Sequence, residues 1–407
     1  MRTRTWCVAM AVLSLGAPAM AQTVLAEADA LARLSPDSPR VRAIRASVDL
    51  ARAAVPAAAR WPNPRVTFNR ESVAGVSENM FTVTQALPIT GRRDLDVSAA
   101  SSLVAASAVR ADEEIRRART ELRAAYADLV AAQVRETELA GARDRLRALA
   151  DVLARRETAG EAAGYDRLRA EREVMDMEAD RAVARAERAR AQAAVAAFFA
   201  DPSDMTTLVA VAPVMGARTP LPTVDMLTAR AQMVRGEPAA LRNEIESARF
   251  ADRAAERRHV PEPEVMAGSK SSSFGGGDIG YVFSIFATLP VFDQAQPEQA
   301  MARARLAQAE ARAAAFQTSL SAQIAGLHAL VAERREAADQ YRAASTTSTA
   351  QLERIAQVSY DDGERGILEL LDAYRSGAAA RIRQAALDAA VRQAEIELEF
   401  VSGWEMQ

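Results

Sequence analysis

The sequence predicts a mainly α-helical protein with a small β part, in which long helical hairpins are joined to short strand hairpins. Two stretches carry no proline, one between Pro88 and Pro202 and one after Pro297, and both are rich in alanine, arginine, glutamate and leucine. This composition is typical of long helices. Proline-bounded segments of similar sequence also recur about half a chain apart, which indicates an internal duplication.

Prolines and glycines of the two units match at a nearly constant offset of about 200 residues. An amphipathic segment after Pro39 leads to Pro62-Asn63-Pro64, and a similar one after Pro238 leads to Pro261-Glu262-Pro263. The further matching pairs are Leu87-Pro88 with Leu289-Pro290, and Gly160 with Gly363. Each unit is therefore expected to contain the same series of elements.

Residues 1–21 are expected to be a signal peptide that is removed after Ala21. A basic start is followed by an apolar run from Trp6 to Pro18 and by Ala19-Met20-Ala21, which is the pattern of a secretory leader. A helical membrane anchor is the weaker alternative, because the run is shorter than the roughly 20 residues that span a bilayer. The only cysteine, Cys7, lies in this segment, so the mature chain is expected to have no disulfide and no thiolate site.

Each unit is expected to contain one β-hairpin, because large apolar residues alternate with polar ones on both sides of a turn region. The turn regions are residues 75–79 and the glycine-rich residues 271–277. The alternating residues are Val66 and Phe68 before the first turn, Phe81 and Val83 after it, and Tyr281, Phe283 and Ile285 after the second.

A lone hairpin is marginal in water, so the two hairpins must pair with each other or with other chains. Aromatic residues concentrate in these two regions, and the alternating set is interpreted as the lipid-facing side of membrane strands. A buried sheet in a soluble protein is the alternative interpretation.

Nothing breaks a helix from Arg92 to Glu157, a length of about 100 Å. Leucines and alanine at heptad spacing predict packing against neighbouring helices; they are Leu139, Ala142, Leu146, Leu149 and Leu153. Glycines at 160–164 and 363–366 are expected to end this helix and its counterpart. The following helices are expected to run to about residues 200 and 402, so each unit carries a long helical hairpin.

No catalytic, cofactor or metal site is expected, and the chain is not interpreted as an enzyme. His259 stands beside a strand and His328 within a long helix, while Lys270 follows serine and not the glycine of a phosphate-binding loop. Met175 and Met177 point to different faces of a helix, which favours packing over a soft-metal site. A formal net charge of −3 gives no reason to expect a nucleic acid partner.

Charged residues at the helix breaks are the remaining candidates for a functional site. They are Asp166, Asp361, Asp362, Glu364, Arg365, Glu369 and Asp372. Helix capping and favourable charge in a first turn explain part of this set. If several chains surround an axis, the same carboxylates form acidic rings that attract cations.

The segments described so far resemble the TolC-type outer membrane efflux proteins, the exit ducts of tripartite efflux pumps and type I secretion. The residues that carry the resemblance are Pro62-Asn63-Pro64, Leu87-Pro88-Ile89-Thr90-Gly91-Arg92-Arg93, Leu289-Pro290-Val291-Phe292-Asp293, and residues 360–375. Together with the repeat, they cover essentially the whole mature chain. The first two segments lean toward the branch that works with heavy-metal resistance pumps, but the lack of cysteine and scarcity of histidine give metal selectivity no chemical support.

The resemblance implies a homotrimer in which each chain gives four strands to a shared transmembrane β-barrel and four long helical stretches to a periplasmic α-barrel. It implies an outer-membrane location with a large periplasmic part, contact with outer membrane lipid, and a periplasmic adaptor and inner-membrane pump as partners. The family's aperture contacts map onto Tyr360, Arg365, Glu369 and Asp372, with Asp166 in the first unit. Tyr360 and Arg365 are then expected to hold a closed state, and the carboxylates to line the aperture.

The function expected from the resemblance is passive conduction of substrate from a pump and adaptor across the periplasm and outer membrane. The alternative is a soluble periplasmic coiled-coil adaptor or structural protein without a pore. Metal cations, organic compounds and secreted polypeptides all remain open as substrates. The expected divisions are 1–21 (signal peptide), 22–61 (first helices), 62–91 (first β-hairpin), 92–200 (first helical hairpin), 201–258 (linker and helices), 259–296 (second β-hairpin) and 297–407 (second helical hairpin and C-terminus).

Overall fold

The computed structural model describes residues 23–160, 164–201, 207–212 and 218–405. The expected signal peptide, residues 1–21, lies outside these ranges. None of the described helices is long and apolar enough to cross a membrane. The strands are β1 (Thr23–Leu25), β2 (Arg65–Val73), β3 (Val76–Ala86), β4 (Leu208–Ala210), β5 (Pro263–Ser272) and β6 (Asp278–Ala287). The α-helices are α1 (Glu27–Arg33), α2 (Pro39–Ala59), α3 (Arg92–Thr158), α4 (Gly164–Ala196), α5 (Val224–Val234), α6 (Gly236–Glu256), α7 (Gln296–Asp361) and α8 (Ile367–Ser402).

The two strand hairpins join into one antiparallel sheet with the order β2-β3-β5-β6. The contact between the hairpins is the β3–β5 pair, which runs from Glu78 opposite Ser272 to Ala86 opposite Glu264. Of the two predicted possibilities, pairing with each other or with other chains, the structure shows the hairpins paired with each other. Within the described residues, β2 and β6 each have one neighbour and form the edges of the sheet.

The first turn differs from the prediction of a longer loop at residues 75–79. It consists of Ala74 and Gly75 alone, both with positive φ angles of 53° and 82°, and β3 begins at Val76. Two positive φ angles in a two-residue connection match the twist of the flanking strands. An alanine is rare in this conformation, which is why the sequence did not indicate so tight a turn. In the second hairpin β5 continues to Ser272, two residues beyond the expected end.

The two long helices follow the prediction closely. Helix α3 has 67 residues and α7 has 66, so each is about 100 Å long. Both end just before a glycine with positive φ, 76° at Gly160 and 74° at Gly363. Glycine adopts this left-handed conformation without a steric penalty, so it terminates a helix and reverses the chain. Helix α4 ends at Ala196, four residues earlier than expected.

The long helices lie side by side in the order α4-α3-α8-α7, because α3 packs against both α4 and α8, and α7 against α8. The heptad residues of α3 face this interface: all five are at most 8% exposed. They belong to an apolar core that also contains Ile367, Leu370 and Leu371 of α8. The predicted packing is confirmed, and α4 and α7 form the two outer sides of the layer.

A small parallel pair of strands was not predicted. Thr23–Leu25 pairs with Leu208–Ala210, which joins the start of the described chain to the linker between the units. The Tyr126 hydroxyl of α3 lies 2.7 Å from the Leu25 carbonyl oxygen and 2.8 Å from that of Val211. Gln133 binds both the carbonyl oxygen and the amide of Ala210, at 2.9 and 2.8 Å. Strands of three residues are too short to show a periodic pattern, so α3 fixes them through contacts that only the fold reveals.

Candidate functional site

The first helix break is closed by an ion-pair cluster within its own hairpin. Arg167 of α4 donates to Glu157, the penultimate residue of α3, with 2.5 Å between Nε and Oε2. Its Nη1 also donates to Glu171 at 2.7 Å. Asp166 lies beside this cluster, half-buried, and has no ion-pair partner among the described residues. The predicted aperture residue of the first unit is therefore next to one arginine and two glutamates that are paired with each other within the hairpin.

The second helix break leaves more charge unpaired. Asp361 accepts hydrogen bonds from Gln357 Nε2 at 3.1 and 3.0 Å, and Asp372 pairs with Arg375 at 3.1 Å. Arg365 is exposed, and no ion pair to it occurs in the part of the chain that the structure describes. The same holds for the other exposed carboxylates of the predicted site, which are Asp362, Glu364 and Glu369.

Tyr360 is placed differently from the exposed charges around it. It is partly buried against the apolar core near the breaks, and the Arg156 guanidinium of α3 lies 5.9 Å from its ring centre. A cation over an aromatic face contributes about 0.5–1 kcal/mol at exposed sites. Tyr360 thus contacts the first hairpin of the same chain, whereas Arg365 has no such contact.

Sequence reasoning missed a second layer of contacts between the hairpins. Tyr374 of α8 donates to Gln357 Oε1, and the Arg145 guanidinium lies 5.5 Å from its ring centre. Burial raises the pKa of Tyr374, and the nearby Asp361 and Glu353 act in the same direction while Arg145 opposes them. The phenol therefore stays a hydrogen-bond donor at neutral pH.

Arg381 of α8 joins three long helices at one point. Its Nε donates to Glu138 of α3 at 2.5 Å, and its Nη1 donates to Glu353 of α7 at 3.0 Å. Glu353 packs over Gly377, where an added Cβ would lie 1.8 Å from Oε1 of that glutamate. A side chain at position 377 would displace the Glu353 carboxylate, so glycine leaves room for its contact with Arg381.

The strand register shows that the seven predicted lipid-facing residues share one face of the sheet. One row contains Val66, Val83, Ala267 and Phe283, because residues directly opposite on neighbouring strands point to the same side. The next rows add Phe68, Phe81 and Tyr281, and then Ile285. The opposite face is mainly polar, with Arg65, Thr67, Asn69, Thr82, Thr84, Lys270 and Ser284.

This apolar face is uncovered in a single chain. The exposed fraction of its seven predicted residues runs from 38% at Val83 to 91% at Tyr281. A contiguous apolar face of this size marks a surface that contacts another protein or a membrane.

The described side chains do not bring together the ligands of a metal centre. Among the described residues, no group of three or more His, Cys, Asp or Glu side chains could hold a metal ion. Met177 is 7% exposed and belongs to the core between the long helices, whereas Met175 is 61% exposed. The two thioethers thus point to different environments, as the helical spacing predicted.

Comparisons with known proteins connect this geometry to outer-membrane channels. No protein-family model matches the chain, and no curated protein does. Among solved structures, a membrane protein from Pseudomonas aeruginosa is 19% identical, with a TM-score of 0.76 over 93% of both chains. The outer membrane protein VceC from Vibrio cholerae is 16% identical, with a TM-score of 0.75 over 93% of this chain and 96% of its own.

A third neighbour is the open state of the MtrE outer membrane channel from Neisseria gonorrhoeae, 18% identical, with a TM-score of 0.72 over 92% of this chain and 88% of its own. The chain therefore has the fold expected from its sequence, that of the TolC-type outer membrane efflux proteins.

Proposed function

We propose that this chain, folded like the outer-membrane channels named above, is the exit duct of a tripartite efflux system. In this role it lies in the outer membrane of a Gram-negative-type bacterium, with the long helices in the periplasm. It conducts substrate passively and carries out no chemical reaction. The observation that carries the proposal is the amphipathic four-stranded sheet attached to helices of about 100 Å, in the fold that the neighbours share.

The sheet supports assembly into a closed barrel of several copies. Its edge strands β2 and β6 present unpaired backbone groups, and a lipid-exposed sheet must close on itself because the bilayer core offers no hydrogen-bond partner. The edge strands lie on opposite sides of the sheet, so β6 of one copy is free to pair with β2 of the next. A homotrimer built in this way has twelve strands, with the apolar face toward lipid and the polar face toward the lumen.

The layer of helices supports the same assembly. Helices α4 and α7 are its outer members, and each carries exposed apolar residues near the breaks. These residues are Tyr165, Leu168 and Met175 on α4, and Leu352, Ile355 and Val358 on α7. In a ring of three copies α7 of one chain packs against α4 of the next and buries both sets.

The breaks form the aperture of this ring. Carboxylates of Asp166, Asp361, Asp362, Glu369 and Asp372 line it and attract cations. Arg365 pairs with a carboxylate of the neighbouring copy, which satisfies a guanidinium that has no ion-pair partner among the described residues of its own chain. Tyr360 supports the same closed state from within its chain through Arg156. A periplasmic adaptor and an inner-membrane pump act at this end.

Purified protein tests the assembly and the pore together. We expect trimers in mild detergent, a sheet signal that is lost on heating, and ion conductance in planar bilayers. Phe283→Arg, on the apolar face, is the matched control that should lose all three properties. A monomer without conductance, found in the soluble periplasmic fraction, would contradict the proposal.

Deletion of the coding sequence followed by a sensitivity screen tests the efflux role and identifies the substrate class. We expect raised sensitivity to at least one group among metal ions, dyes and antibiotics, and restoration by the intact chain but not by the Phe283→Arg variant. The screen distinguishes metal cations from organic compounds, which the sequence leaves equal. Unchanged sensitivity to every compound would count against an efflux role.

A further inference from the structure

The interface between α3 and α8 has a gap in its apolar core. The buried residues of α3 stop at Leu129 and resume at Leu139, and those of α8 stop at Ala378 and resume at Val391. A cavity of about 340 Å³ lies between the two helices at this level. Its volume is within the range of small-molecule pockets, near the lower end. The contact between the two units is therefore unfilled at one defined place.

The cavity is bounded by one face of each helix. Its lining residues on α3 are mainly apolar and recur at helical spacing, which places them on one side of the helix. They include Ala127, Val130, Ala131 and Val134. The facing side of α8 mixes small apolar residues with polar ones, and these include Arg381, Gln384, Ala385, Asp388 and Ala389. The short alanine side chains on both helices leave the space between them open.

The charges around the cavity are balanced and already paired. Three arginines and three carboxylates line it. Each of the six has an ion-pair partner within 3.7 Å, and the pairs are Arg392–Glu27, Arg218–Asp388, Glu395–Arg335 and Arg381–Glu353. A charged occupant would lose its hydration without gaining a free counter-charge, which is costly. The lining therefore favours an uncharged molecule.

Two polar atoms of the lining are nevertheless without a hydrogen-bond partner among the described residues. They are Arg381 Nη2 and Gln384 Oε1, and both are buried. The Gln384 amide is oriented by its nitrogen, which donates to Asp388 Oδ1 at 3.0 Å; an ionised carboxylate only accepts. The two residues are three positions apart, so they share a face of α8. That face thus offers one free donor and one free acceptor to an occupant.

The larger surface cavities differ in this respect. One of about 640 Å³ lies along α4 and α8, and one of about 770 Å³ lies beside α1 and the end of α8. The described residues that line them contribute no buried polar atom without a partner. Since buried polar groups in folded proteins are nearly always hydrogen-bonded, an unpaired donor and acceptor in one cavity call for an occupant.

We propose that this cavity binds an uncharged organic molecule that carries a hydroxyl group on an apolar ring body. The hydroxyl oxygen accepts a hydrogen bond from Arg381 Nη2, and the hydroxyl hydrogen is donated to Gln384 Oε1. The apolar body lies against Val130, Ala131 and Val134, where its burial adds to the binding. Such a molecule contacts both units at once. The site does not depend on the proposed role as a duct.

Three probes with the same two-ring body separate these contributions. 2-Naphthol carries a hydroxyl group, naphthalene has no polar group, and 2-naphthoate is an anion. Equilibrium dialysis uses the purified chain from Gln22 onward, with the same detergent in both chambers. Uptake by micelles does not saturate, so the saturable part of the binding belongs to the protein.

We expect one 2-naphthol to bind per chain, at least about tenfold more tightly than naphthalene, because naphthalene leaves both polar atoms unpaired. 2-Naphthoate should show no saturable binding, since its charge has no free partner in the cavity.

Variants on the two helices locate the site. Ala131→Phe fills the cavity from α3 and should abolish saturable binding, whereas Ala105→Phe, at an exposed position of the same helix, is the matched control and should retain it. Gln384→Met keeps the length of the side chain but removes the acceptor. It should weaken 2-naphthol binding about fivefold and leave naphthalene binding unchanged, which a general disturbance of the fold would not do. Helical circular dichroism checks that each variant is folded.

Every other outcome overturns the inference. No saturable binding of 2-naphthol by the folded parent would show that the cavity takes up water only. Equal affinities for 2-naphthol and naphthalene would deny Arg381 and Gln384 a role, and tighter binding of 2-naphthoate would make this an anion site. Unchanged binding by the Ala131→Phe variant would place the site elsewhere. Conductance of the same preparations tests the duct separately, so its loss would leave a positive dialysis result standing.

Discussion

The two helical hairpins have the same plan but treat charge differently at their breaks. Gly160 and Gly363 reverse the chain in the same left-handed conformation. In the first hairpin Arg167 then ties the end of α3 to the start of α4 through Glu157. In the second hairpin the Asp372–Arg375 pair lies within α8, and among the described residues no ion pair involves Arg365, which is left exposed.

The two breaks therefore differ in whether their charges are paired within the same hairpin. A charge that is paired within its own hairpin contributes to that hairpin's stability. A charge without an internal partner is available to a second copy. In the proposed trimer the first hairpin is therefore the more self-contained support, and the second is the one that we expect to make contacts between copies.

Substitutions in the sheet give the largest expected effect and test where the two units are equivalent. Phe68→Arg in β2 and Phe283→Arg in β6 each place a charge on the apolar face, at a cost of about 2–4 kcal/mol per chain near the bilayer midplane. We expect both to reduce the heat-sensitive trimer strongly on gels. Thr67→Arg and Val282→Arg, on the other face, should assemble normally. Loss with only one of the two phenylalanine variants would show that the hairpins are not equivalent in the membrane.

Replacing two glycines on long helices by alanine gives the next largest effect, and the two variants should change the free energy of unfolding in opposite directions. Gly377→Ala in α8 pushes Glu353 away from Arg381 and should lower the free energy of unfolding by about 1–2 kcal/mol. Gly141→Ala in α3 meets no atom closer than 3.9 Å and should raise it by up to about 1 kcal/mol, because alanine favours helix. Thermal unfolding followed by helical circular dichroism measures both. Equal shifts in the same direction would contradict the role given to Glu353.

The aperture offers a smaller effect that tests the contrast between the breaks directly. Arg365→Ala should raise single-channel conductance at least about twofold, since in the proposed trimer it removes a charge that pairs with a neighbouring copy. Tyr360→Phe should raise it less, because the ring keeps its contact with Arg156. Arg167→Ala, in the self-contained first break, should leave conductance near that of the parent protein. Equal conductance of the Arg365→Ala variant and the parent would refute the proposal that Arg365 holds the closed state.

The smallest effect concerns the link between the two units at Glu27, which binds Arg123 of α3 at 2.6 Å and Arg392 of α8 at 3.1 Å. Burial raises the pKa of Glu27, but the two arginines lower it by more, so its pKa lies below the ordinary range. Its contribution to stability is therefore complete above about pH 5 and is lost as the pH falls through the lowered pKa.

Glu27→Gln should remove this contribution, which we expect to be less than about 1 kcal/mol after screening by solvent. The difference in unfolding free energy between parent and variant should shrink as the pH falls from about 6 to 3. A constant difference across this range would contradict the link.

The sequence predicted the elements whose signals are local and repeated. Alternation identified the side of the sheet on which Phe68 and Tyr281 lie, and the break glycines located the helix ends. It also indicated which charged residues gather near the breaks. These features depend on spacing along the chain, which a sequence displays directly.

Contacts between distant residues could not be predicted in the same way. Arg381 forms ion pairs with Glu138 and Glu353, two of 54 acidic residues. No rule of sequence spacing connects Arg381 with either glutamate. The contact of Arg156 with Tyr360 has the same character. Such pairs depend on how α3, α7 and α8 are rotated against one another, and that rotation follows from the whole interface.

The short parallel pair of β1 and β4 also constrains the order in which the chain can fold. Thr23–Leu25 precedes the long helices of the first unit in the chain, and its partner Leu208–Ala210 follows only after α3 and α4. The entropy cost of closing a loop rises slowly with its length, by about 0.6 kcal/mol per doubling. A loop of this length can therefore still close. On α3, Tyr126 hydrogen-bonds to Leu25 of β1, and Gln133 hydrogen-bonds to Ala210 of β4. The first unit can therefore close into a loop without any contact to the second, which then has a surface to fold against.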